Sequence, residues 1–264
     1  MMNNLWKKHG NELTRMTLEG KRRKRAREGL LLESVHESFF TNELIALDSK
    51  DVILSNSDIK RGIIFPEHMT SELAEETGIH LGDGCMRNER NYYSVKCNKK
   101  EEDYMIGFVI LLYKRLYNLS LRLMRLPSVS GFESYSKGLS EFKHKVLGIP
   151  KGNKLGRLEV PEKILDSKNK KIYGAFIRGL FDTDGGVSII KTKNNYSFVT
   201  ITIKSEKLIS QVKEMLKKLG IIASGGKWEV RVNGTVMLKK WLRDIGSNNP
   251  KNLRRLEGVC GRVV

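Results

Sequence analysis

Apolar positions recur at helical spacing in several windows of the chain and alternate in others, and these changes of period predict the elements. In the C-terminal half the pattern predicts helices over Lys170 to Phe181, Glu206 to Leu219 and Thr235 to Ile245, with Gly246 as the last helix's stop. Strands are expected over Val187 to Lys191, Ser197 to Lys204 and Lys227 to Val232. The N-terminal half carries a similar succession, with helices near Ser71 to Leu81, Glu102 to Tyr117 and Lys137 to Leu147. Its strands are expected near Tyr92 to Lys96, Leu121 to Leu126 and Gly131 to Tyr135, and the Gly- and Lys-rich stretch Lys151 to Arg157 reads as a linker. Each half therefore reads as αββαββα, which places the chain in the α+β class as two pseudo-symmetric tandem halves.

Sequence self-similarity gives the same division. Gly78-Ile-His-Leu-Gly-Asp83-Gly84 and Gly179-Leu-Phe-Asp-Thr-Asp184-Gly185 share the leading glycine, the aspartate and the closing glycine at identical spacing, 101 residues apart. A Pro-Glu step precedes each copy, at Pro66 and at Pro161. After each copy a strand-like run closes on a lysine before the next helix, at Asn98-Lys99-Lys100-Glu101 and at Ile203-Lys204-Ser205-Glu206. The expected organisation is a basic N-terminal extension over 1–65, a first half over 66–157 and a second over 158–264. Within the extension, Lys21 to Arg27 holds six basic residues in seven and reads as a solvated or nucleic-acid-contacting segment.

Charge narrows the class of partner. Forty-eight Lys and Arg against 30 Asp and Glu leave a formal charge of +18, which favours a polyanion. The longest apolar run, Ile106 to Tyr113, is far short of the ~20 residues of a membrane span, and the sequence after Met1 has no signal-like character, so no membrane partner and an intracellular location, cytoplasmic or organellar, are expected. Cys85, Cys97 and Cys260 form no CxxC pair and read as reduced thiols.

The paired motifs resemble the LAGLIDADG signature, and Ala175 with Gly179-Leu-Phe-Asp-Thr-Asp184-Gly185 matches it well. The first copy departs from it: Leu81 stands where the second has Asp182, and Thr77 and His80 replace small or apolar residues. The resemblance implies that each motif is the end of a helix followed by a tight turn, that two such helices pack at the centre of the molecule, and that Asp83 and Asp184 meet there. It makes these aspartates metal ligands and catalytic residues, with the carbonyls of Gly82 and Thr183 as further ligands and Lys99 and Lys204 organising solvent. Mg²⁺ suits two carboxylates and a phosphate, with Mn²⁺ able to substitute. An isolated Asp-Gly is ordinarily a turn; two copies in matched context in a strongly basic chain point instead to a site. His80 reads as a packed side chain, and Trp228 and Trp241 as core or sheet packing.

The implied activity is that of a homing endonuclease, hydrolysing both strands of duplex DNA at a specific site, as a monomer holding both halves of the active site. Four-stranded sheets would lie in the DNA grooves. Alternation offers Arg87, Arg90, Tyr93, Arg122, Arg125 and Ser130 as outward residues in the first half, and Lys191, Lys193, Tyr196, Thr200, Thr202, Lys227, Glu229 and Arg231 in the second. Two alternatives keep the fold and drop the cutting, an RNA maturase and a DNA-binding regulator. A basic coat protein would need no paired carboxylates. Neither Met1 nor the ending Gly258-Val-Cys-Gly-Arg-Val-Val264 fits an intein, which leaves a freestanding, intron-encoded enzyme as the expectation.

Overall fold

The computed structural model describes residues 40, 41, 43–87, 89–190 and 196–261. The chain divides after Phe40, and the elements below belong to the unit that starts at Thr41. Lys21 to Arg27, Lys191 and Lys193 lie outside the described residues. No described helix is long and apolar enough to cross a membrane.

A short helix, α1 (Asn56–Arg61), leads to the first motif helix, α2 (Ser71–Asp83). The Thr70 hydroxyl caps α2 by accepting from the Leu73 amide at 3.2 Å. Strand β1 (Gly84–Met86) follows without an intervening residue, then β2 (Tyr92–Asn98). Helix α3 runs from Glu102–Tyr104 through a π-helical turn, Met105–Val109, into Ile110–Tyr117. Strands β3 (Met124–Arg125) and β4 (Val129–Tyr135) complete an antiparallel sheet of order β1-β2-β4-β3, and α4 (Lys137–Glu141, continuing as a π-turn over Phe142–Val146) closes this half.

The second half starts with α5 (Glu162–Asp166) and the second motif helix, α6 (Lys170–Asp184), capped by the Asn169 side chain, which accepts from the Lys171 and Ile172 amides. It continues through β5 (Gly185–Ile190), β6 (Tyr196–Thr202), α7 (Glu206–Lys218), β7 (Glu229–Asn233), α8 (Thr235–Asp244) and α9 (Pro250–Cys260). Its sheet has order β5-β6-β7. Where a fourth strand is expected there is a single bridge between Ser224 and Arg231, followed by Gly225 at φ +110, which turns the chain toward β7.

Three expectations change. Both motif helices run to their aspartates, and the backbone passes directly into an extended strand at Gly84 (φ −78) and Gly185 (φ −117), so no tight turn separates helix from sheet. The strand expected over Leu121 to Leu126 contracts to Met124–Arg125. Helix α9 was not expected, although Asn249 capping a helix with Pro250 in its first turn is a recognisable start.

The core lies between the motif helices and the sheets. Leu73, Ile79, Phe176, Ile177, Leu180 and Phe181 are completely buried, each contributing about 1.5–3 kcal/mol of hydrophobic stabilisation. Trp241 is buried edge-on against Phe181, as expected; Trp228 is 46% exposed and so lies outside the core. In the first half the completely buried Glu76 carboxylate accepts hydrogen bonds from Tyr93 and Tyr117 and pairs with the buried Lys143. All three cysteines are free.

Candidate metal centre

Glycine brings the motif helices together. A Cβ built on Gly78 would stand 2.9 Å from the Leu180 amide nitrogen, and one built on Gly179 would stand 2.9 Å from the Ile79 nitrogen, with the Phe176 and Glu75 carbonyl oxygens nearer still. The two backbones therefore touch reciprocally, each glycine on the other helix. Polar pairing adds to this contact: Arg178 forks onto Glu75 at 2.9 and 2.5 Å, and its third nitrogen donates to the Ile245 carbonyl.

The contact continues to the helix ends, where a Cβ on Gly82 would meet the Asp184 carboxylate at 2.8 Å. Asp83 and Asp184 thus end two packed helices side by side. Burial raises Asp83 from its ordinary 3.8 to about 7, with the negative charges of Asp184 and Glu101 adding to the effect and Lys154 opposing it. Burial also raises Asp184, to about 6, and Lys154 again opposes. Both are at helix C-termini, where the macrodipole is itself negative. Such a pair is poorly stabilised as two anions by protein alone, and a divalent cation between them is the direct remedy.

Asp182 has another task. It is 2% exposed and accepts from the Ser247 hydroxyl and from the Asn248 and Asn249 amides, the latter at 2.7 and 3.2 Å. The Asn249 side chain returns a hydrogen bond to the Asp182 carbonyl at 3.1 Å and donates to Glu101 at 3.0 Å. Burial raises Asp182 to about 7 despite these donors. This carboxylate holds the chain entering α9.

The cation placed at the motif ends is one that sequence reasoning did not select. Lys154 Nζ donates to the carbonyls of His80, Leu81, Gly82 and Gly84 at 3.1, 3.0, 3.1 and 2.5 Å. Burial lowers its pKa, opposed by the charges of Asp184, Cys85 and Asp83. Lys99 and Lys204 are exposed, one directly after β2 and the other two residues beyond β6. The Thr183 hydroxyl is occupied within its own helix, donating to the Gly179 and Leu180 carbonyls. His80 is packed, stacked on Tyr93 at 4.9 Å with its pKa held well below 6.5 by burial. Among the described residues no three His, Cys, Asp or Glu side chains converge as a metal cluster. What the centre could offer a cation is two carboxylates and main-chain carbonyls, of which the Gly82 carbonyl already accepts from Lys154.

Strand registers define the sheet faces. In the second sheet Tyr196, Thr200 and Thr202 share a face with Glu229 and Arg231 through the pairs Thr200–Arg231 and Thr202–Glu229. That face is turned away from the buried Val199, Ile201, Val230 and Val232. Arg231 lies over Phe198 at 4.6 Å, and Lys227 over the exposed Trp228 at 4.7 Å. In the first sheet two outward assignments fail. Tyr93 is completely buried, on the same side of β2 as Val95 and Cys97, and Ser130 is 1% exposed and donates to Glu102. Arg125, paired with Ser130 across the strands, is tied to Glu102 at 2.9 Å.

The outward face of this sheet instead presents Tyr92, Lys96, Glu133 and Tyr135. Lys96 Nζ and the Tyr92 hydroxyl both donate to Glu133 at 2.7 Å. Arg87 lies over Tyr92 at 4.9 Å, and with Glu89 and Arg90 these residues line a groove of about 530 Å³. Arg122 is exposed.

Comparison with known proteins bears on this architecture. Residues 171–246, from α6 to the end of α8, match the family model for a LAGLIDADG-like domain. Mesophilic variants of the homing endonuclease I-DmoI superpose with a TM-score of 0.50 at 17% identity, over 70% of this chain and 97% of theirs. The homing endonuclease I-WcaI bound to its DNA recognition sequence gives 0.49 at 12% identity, over 81% and 98%. The N-terminal LAGLIDADG domain of DUF199/WhiA gives 0.43 at 14%, over 78% and 96%. At 17% identity the likeness to the I-DmoI variants is one of fold. The helix and glycine contact that precede each aspartate and the strand that follows it, together with the matched segment, identify a LAGLIDADG-like domain over residues 171–246 within a chain that has the LAGLIDADG α+β fold.

Proposed function

We propose that this chain is a metal-dependent, site-specific endonuclease for double-stranded DNA, a freestanding, intron-encoded homing endonuclease that acts as a monomer built from the halves 66–157 and 158–264. The observation that carries this reading is the meeting of Asp83 and Asp184 at the ends of two helices of one chain, half-buried, their carboxyls raised by desolvation that Lys154 only partly offsets. Asp83 and Asp184 would hold Mg²⁺ or Mn²⁺, with the Gly82 and Thr183 carbonyls beside them. A bound divalent ion supplies a water of lowered pKa and offsets charge developing on a phosphodiester.

The chain's own residues then have separable duties. Asp182, Arg178 and Glu75 fix the helix ends; Lys99 and Lys204, exposed next to the sheets, order solvent around the scissile phosphate. The outward faces contact the duplex. Arg87, Arg90 and Arg122 on the first sheet's side, and Tyr196, Thr200, Thr202, Lys227, Glu229 and Arg231 on the second, provide charge for phosphates and donors and acceptors for base edges. The fold shared with variants of a homing endonuclease, I-DmoI, supports the nuclease reading.

Asp83→Asn and Asp184→Asn preserve size and remove the charge that retains the cation. Each is expected to lower cleavage of a target recovered from random-insert DNA by at least about a hundredfold while leaving affinity in Ca²⁺ nearly unchanged. Near-wild-type cutting by both variants would remove the proposed centre. A second reading, a DNA-binding regulator that does not cut, has one observation in its favour: Lys154 already donates to the Gly82 carbonyl. Specific binding with no cleavage of any recovered target would favour it.

A further inference from the structure

The linker between the halves is strapped down at two points on either side of Lys154. The Gly152 amide donates to the Met86 carbonyl, at the end of β1, at 2.7 Å; the Gly156 amide donates to the Lys204 carbonyl, beyond β6, at 3.1 Å. Both glycines have positive φ, 79° and 70°, so each turns the backbone in a way a side chain would resist. Between these anchors the Lys154 side chain reaches four carbonyls of the first motif's end, three of them in the last turn of α2. The three N–H groups of the ammonium are shared among these four acceptors. One of the four belongs to Gly82, whose position faces the Asp184 carboxylate.

We propose that Lys154 is a tethered cation that occupies the edge of the aspartate centre in the metal-free protein and competes with a divalent ion for it. The proposal rests on reading Asp83 and Asp184 as metal ligands. Two helix C-termini and two carboxylates concentrate negative charge at one place, and the ammonium offsets it while satisfying the Leu81 and Gly82 carbonyls at the end of the helix. An incoming divalent ion meets a like charge and a carbonyl already engaged. Lys154 is thus a positioning residue: it keeps the first motif's end in place before the metal arrives and sets how tightly the metal is held.

Calorimetric titration of the full chain with Ca²⁺, and thermal unfolding in EDTA and in Ca²⁺, test this with readouts independent of cleavage. Lys154→Met keeps much of the side chain's length and removes its charge. It should melt below wild type in EDTA, show a larger Ca²⁺-induced rise in Tm, and bind Ca²⁺ about tenfold or more tightly, the scale of one unit charge a few ångströms away. Lys154→Gln retains amide donors for the carbonyls and guards against a variant that fails to fold; it should also bind Ca²⁺ more tightly. Equal or weaker Ca²⁺ binding by the variants, with wild-type binding that Asp184→Asn abolishes, would overturn the role of Lys154 and leave the aspartate site intact. Absence of any Ca²⁺ response in wild type and variants alike would overturn both.

Discussion

Replacing Gly179 with alanine adds one methyl group at the place where the two motif helices touch. Its carbon would lie 2.9 Å from the Ile79 nitrogen and nearer to the Glu75 carbonyl oxygen, against about 3.4 Å for ordinary contact. Both neighbours are backbone in the middle of a helix, so no side chain can swing aside. The helices must part by about half an ångström at the nitrogen and roughly one at the oxygen, in an interior packed as densely as an organic crystal. Overpacking of this kind costs about 1–3 kcal/mol. It also spreads Asp83 from Asp184, one turn further along, and a displacement of about 1 Å at a catalytic centre can cost on the order of a hundredfold in rate. Urea unfolding of Gly179→Ala should show the lost stability. Cleavage of a recovered target in Mg²⁺ should fall far more than the unfolded fraction explains. Alanine at Gly107, exposed on α3, where an added Cβ meets no neighbour within 4 Å, is the control and should leave cutting unchanged with no loss of stability. Unaltered stability and cutting in Gly179→Ala would refute the claim that backbone contact sets the aspartate geometry.

Other outcomes follow from the same site. Asp83 and Asp182 are raised to about 7 and Asp184 to about 6, from 3.8, so the folded state binds more protons than the unfolded between those values. Their contribution to stability in EDTA should be fully present below about pH 4 and be lost as pH rises to about 7, while Ca²⁺ affinity rises over the upper part of that window; melting curves across pH check the first and titrations the second. Asp182→Ala should cost about 1–3 kcal/mol in urea unfolding, because Ser247 and two buried amides lose their acceptor. Duplex affinity should fall with rising salt with a log–log slope of several units, measured by fluorescence anisotropy, and a flat dependence would argue against phosphate contacts.

The sequence pattern revealed the second motif half better than the first, for a physical reason. Asp182, Asp184 and the small residues of α6 preserve a full signature, and the strands after it alternate cleanly, so Thr200 and Arg231 fall on one face as alternation implies. In β2 two tyrosines stand side by side and either could turn outward. The available signal was further along the strand, since Tyr93 shares the parity of Val95 and Cys97, which are buried. Ser130 misled because its hydroxyl is satisfied inside by Glu102, leaving Val129 on the outer side. Lys154 had no signal of this type: one lysine in a Gly- and Lys-rich linker shows no period, and only the fold brings it to the end of α2.

The two sheet faces differ in their contents. One presents Tyr92, Lys96, Glu133 and Tyr135, and the other Tyr196, Phe198, Thr200 and Arg231. An assembly of two identical subunits must offer each side of its centre the same chemistry, and so favours a ligand that repeats itself under two-fold rotation. Joined in one polypeptide, the halves are released from that rule: each can diverge without disturbing the other. If the proposed function holds, a perfect palindrome laid across Asp83 and Asp184 would match only one side, and an asymmetric target is the expectation.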